Sequence, residues 1–85
     1  MNEKRIFAVF ILLCRAFGLE TSQEVDECFS WAVGPDWEQI PMSQWRQRLK
    51  IRGIHLSPDA SMEEAVRTII NKWRQYREAE VAKFR

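Results

Sequence analysis

The stretch Ser61–Tyr76, SMEEAVRTIINKWRQY, decides the fold. Met62, Val66, Ile69, Ile70, Trp73 and Tyr76 recur at intervals of three and four, the period of an α-helix with one apolar face. Ser61 and Glu64 stand at the spacing of a capping box, in which the hydroxyl accepts from a first-turn N–H and the carboxylate reaches back. Ser57-Pro58-Asp59 supplies a turn just before it. A helix over residues 61–85 would be about 37 Å long at ~1.5 Å per residue. A compact chain of this size is about 30 Å across, so the last turns are expected to project past the body.

Three shorter helices are expected upstream. The first covers about residues 3–17, from a cap at Asn2 to a left-handed Gly18, although its Ile, Phe and Val content would also suit a buried strand. Thr21 and Glu24 repeat the capping-box spacing, and Val25, Cys28, Phe29 and Ala32 mark one apolar face until Gly34-Pro35 breaks the pattern. Pro41 suits the first turn of a third helix whose buried stripe is Met42, Trp45 and Leu49, ending at Gly53. The expected fold is therefore all-α: a small four-helix bundle-like domain over residues 1–85, with a long C-terminal helix. Its core should hold Phe7, Phe10, Phe29, Trp45, Ile69 and Trp73.

Composition agrees with a packed domain. Of 85 residues, 46% are hydrophobic, with four Trp and five Phe, so a core can form. Three Gly and three Pro are too few for a turn-rich β-sandwich. Lys4 and Arg5 before the apolar run Ile6–Cys14 imitate the start of a signal peptide, but no cleavage site follows and Arg15 interrupts the run. Nine apolar residues also fall short of the ~20 that span a bilayer, so no membrane partner is expected. Cys14 and Cys28 form no metal or secreted-type pattern, which points to free buried thiols in a reducing, cytoplasmic setting.

No enzymatic apparatus is legible. His55, the sole histidine, lies in an apolar connector away from any nucleophile or paired carboxylate, and there is no phosphate-cradling glycine loop. Cys14, Cys28 and His55 are too scattered for a zinc site. Neither catalytic residues, a metal nor a cofactor is expected.

Charge is more informative. The net value of +1 hides segregation: residues 1–15 carry +2, residues 16–44 have six acids and no Lys or Arg, and residues 45–85 carry ten basic groups against five acidic ones. Such a dipole can steer association with a charged partner. Alternatively, the two stretches neutralise each other within the fold. The favoured expectation is a non-enzymatic protein-binding module, an adaptor, regulator or inhibitor. Its contacts would be Glu20, Glu24, Glu27, Asp36 and Glu38, with Trp31 and Trp37, on either side of the Gly34-Pro35 break, as aromatic anchors or equally as core fillers. A homodimer is a second expectation, because the run Ile6–Cys14 is apolar all round its helix and three neighbours can scarcely wrap it; the competing reading is that this helix is the central element and its neighbours do cover it. The fourth helix offers a further pairing stripe: Val66, Ile69, Trp73, Tyr76 and Glu80 fall near a heptad register, too short for a coiled coil.

The alternative is a small DNA-binding regulator. Arg46, Arg48, Lys50 and Arg52 flank the stripe of the third helix with Gln44 and Gln47, the residue types that contact phosphates and base edges. Lys72, Arg74 and Arg77 add basic charge beside Trp73 and Tyr76. The acidic block upstream would repel a phosphate backbone, and the connector between the second and third helices is too long for a helix-turn-helix.

Overall fold

The structure, a computed structural model, describes residues 3–83, with side chains described from residue 8 onward except Met42. Four helices follow one another: α1 Glu3–Ala16, α2 Ser22–Ala32, α3 Met42–Ile51 and α4 Met62–Ala82. The all-α expectation and its helix count hold. The Asn2 cap and the Phe7 side chain lie outside the described residues.

Local chemistry sets the boundaries. The hydroxyls of Thr21 and Ser61 accept from the backbone N–H of Glu24 and Glu64, each at 3.1 Å, starting α2 and α4. The Glu24 carboxylate does not complete the expected box through the backbone; it accepts from the Thr21 hydroxyl itself at 3.2 Å. Pro41 is the residue before α3 rather than within its first turn. Two helices stop in the same way. Gly18 at φ +101 and Gly53 at φ +76 donate three residues back, to Arg15 and Lys50, while Leu19 and Ile54 donate five back, to Cys14 and Leu49. In both, the residue after the glycine is a buried aliphatic that packs the helix end onto the core.

The core takes one aromatic cluster from three elements and a connector. Phe10 and Phe29 meet edge-to-face at 4.8 Å, and Trp37 and Trp45 close around them with ring centroids 5.5–6.4 Å apart. Val66, Ile69, Ile70 and Trp73 press the inner face of α4 against α1 and α2. Of the expected core residues with described side chains, Phe10, Phe29, Trp45, Ile69 and Trp73 are all buried.

The molecule measures 48 × 26 × 21 Å, longer than a sphere of this chain length. Beyond Trp73 the α4 residues from 74 to 79 and 81 to 83 are exposed, so the end of that helix does project; it stops at Ala82, with Lys83 closing its last turn.

Candidate functional site

The basic residues of α3 are held against their own chain. Arg46 donates from Nη2 to the carbonyls of Ser57 and Pro58 at 2.9 and 2.8 Å, fastening the connector to α4. Arg48 makes a two-pronged ion pair with Asp36 at 2.9 and 3.0 Å, and its Nη1 also donates to the Val33 carbonyl at 3.3 Å. Arg52 donates from Nε to the Trp31 carbonyl at 2.8 Å and lays its guanidinium 5.2 Å from that indole's centroid. On α4, Arg74 reaches back to the Phe17 carbonyl past the end of α1, and Arg77 packs over Trp73 at 4.8 Å. Three of these acceptors, the carbonyls of Phe17, Trp31 and Val33, lie in the last turn of a helix or just past it, where carbonyls lack an intrahelical partner.

Two glycines make room for these contacts. A Cβ on Gly18 would overlap the Arg74 guanidinium, and one on Gly34, at φ +144, would come within 2.7 Å of Arg48 Nη1 and 2.9 Å of Asp36 Oδ1. Asp36 is held below its ordinary carboxylate range, first by the hydrogen bond from Arg48. The same bond raises the Arg48 guanidinium.

This removes part of the nucleic-acid set. Gln44, Gln47, Lys50 and Arg52 are exposed; Arg52 gives its Nε and the half-buried Arg46 its Nη2 to carbonyls of this chain, and of the three arginines Arg48 alone is paired with a carboxylate among the described residues. The acidic set is differently placed. Glu20, Glu27 and Glu38 are exposed and Glu24 half-buried. Among the described residues, ion pairs are limited to Arg48–Asp36 and Lys83–Glu80, so of the expected contact acids only Asp36 has a basic partner. Glu24 and Glu27 interact with the neutral side chains of Thr21 and Gln23. Among the described residues, mutual neutralisation of the acidic and basic stretches thus goes no further than one ion pair.

The two anchor tryptophans separate. Trp37 is a correction: it is 3% exposed, part of the aromatic core, with its Nε1 donating to Asp26 at 3.0 Å, and it offers nothing to a partner. The Asp36-Trp37 connector turns inward because the Trp37 ring fills the space between Phe10, Phe29 and Trp45. Trp31 is half-buried and stacks on Tyr76 at 5.0 Å, with Tyr76 42% exposed. Beside Arg52 in the chain, Ile51 is 83% exposed. Ile51 is in no expected contact set, whereas Tyr76 belongs to the expected pairing stripe of α4, whose Val66, Ile69 and Trp73 are buried in this chain's own core. Helical spacing was the available signal: Ile51 stands two residues past Leu49, on the side of α3 away from Trp45 and Leu49.

Elsewhere, α1 leaves Val9 and Leu12 exposed at 47% and 63%, while Phe10 and Cys14 are buried. Cys14 and Cys28 are free; burial pushes their thiols up to about 11 and about 12. His55 is exposed. Among the described residues no three His, Cys, Asp or Glu side chains gather as metal ligands would, and no helix is long and apolar enough to cross a membrane. A groove of about 420 Å³ runs along the projecting end of α4, where the described lining is Arg74, Arg77, Glu78, Val81 and Ala82. All five come from one helix, so it is an open flank rather than a recess. No protein-family model, curated protein or solved structure matches this chain.

Proposed function

We propose that this chain is a non-enzymatic protein-binding module, an adaptor, regulator or inhibitor, that meets its partner through the acidic side of α2. One observation carries the reading: Arg48 is paired with Asp36 and Arg46 and Arg52 each hold carbonyls of this chain, while Glu20, Glu24, Glu27 and Glu38 have no cationic partner among the described residues. Unpaired carboxylates in water cost the fold little and leave a negative field that accelerates encounter with a basic surface. Trp31 supplies the aromatic component of the contact, without Trp37. The buried, free thiols suit a reducing cytoplasm. A homodimer would use Val9 and Leu12.

The test is charge reversal. Glu24→Lys with Glu27→Lys is expected to abolish capture of a protein from native lysate while circular dichroism stays unchanged. Capture that survives the reversal, or measured turnover of a small substrate by the chain, would end this reading. The DNA-binding alternative keeps Gln44, Gln47, Lys50 and Arg52 as exposed residues, set against an acidic block that would repel a phosphate backbone.

A further inference from the structure

We draw no further inference here: the strongest candidate, the side-chain cluster of two free thiols, Cys14 of α1 and Cys28 of α2, in the core, carries nothing because burial keeps both protonated and unreactive and no third metal-ligating side chain gathers with them among the described residues.

Discussion

Nε1 of Trp37 donates a 3.0 Å hydrogen bond to Oδ1 of Asp26, across eleven residues, so a core indole ties the α2–α3 connector back to the first turns of α2. Trp45, packed against the same ring, has a buried Nε1 with no acceptor. The two indoles lose similar volume on replacement by phenylalanine but differ in what happens to the N–H. Trp37→Phe gives up a charge-assisted hydrogen bond, whereas Trp45→Phe relieves an orphaned donor. Trp37→Phe is therefore expected to destabilise more than Trp45→Phe by about 1–3 kcal/mol in urea denaturation. Equal losses would show that the Asp26 contact contributes nothing.

Gly18 and Arg74 form one unit at the end of α1. Gly18→Ala forces a side chain into a left-handed backbone and displaces the guanidinium that satisfies the Phe17 carbonyl. A loss of about 1–2 kcal/mol is expected from the backbone alone. Arg74→Ala should cost less, and the double variant should cost less than the two single losses together. Strict additivity in a thermal denaturation cycle would separate the two residues.

The Asp36–Arg48 pair makes stability sensitive to acid. With its folded pKa below the ordinary 3.8, Asp36 contributes stability that is complete above that value and lost as pH falls through the folded pKa. Asp36→Asn should flatten the fall in urea midpoint below about pH 4. An unchanged acid limb in that variant would contradict the ion pair.

Alkali acts through the thiols with the opposite sign. Both cysteines titrate higher in the folded chain than their ordinary 9.0, so the stability they confer is complete below that pH and declines as pH rises toward about 11–12. Cys14→Ala with Cys28→Ala should lower stability at neutral pH but make the limb above pH 9 shallower than in the parent. Reaction with a disulfide reagent at pH 8 should be slow in the native state, because neither thiol is exposed.

Nucleic-acid affinity should be weak and unspecific. With Arg46, Arg48 and Arg52 engaged, anisotropy of labelled duplex DNA is expected to give a salt slope of about one or two phosphate contacts, the same for unrelated sequences. A slope of four or more would restore α3 as a DNA-contacting helix.

Self-association can be read by light scattering. Among the described side chains of α1 the exposed large apolar ones are Val9 and Leu12, which fall well short of the ~1,200 Å² of a stable interface, so a monomer mass is expected at tens of micromolar. Leu12→Glu should leave stability within about 0.5 kcal/mol of the parent. A dimer mass that this substitution abolishes would establish α1 as the interface.

The four helices were legible because their determinants are local. Thr21 and Ser61 cap three residues ahead, Gly18 and Gly53 terminate in place, and the stripe from Met62 to Trp73 has the helical period whatever it packs on. The acidic block was legible too, as a run without Lys or Arg. Trp37 was not: two residues past a Gly-Pro break, it has no periodicity to say whether it points in or out, and a gap among three other aromatic rings settled that.

What the amino-acid order determined by itself is the set of helices, their ends and most of the core, since hydrogen bonds over three to five residues and a 3.6-residue period need no distant partner. Only the tertiary structure decided the state of the basic residues. Arg48, Arg52 and Arg74 find carbonyls 15, 21 and 57 residues away, at helix ends brought within reach by packing of the apolar faces. A run of arginines reads the same whether it faces a ligand or its own backbone; the carbonyls left unpaired where helices stop made the difference.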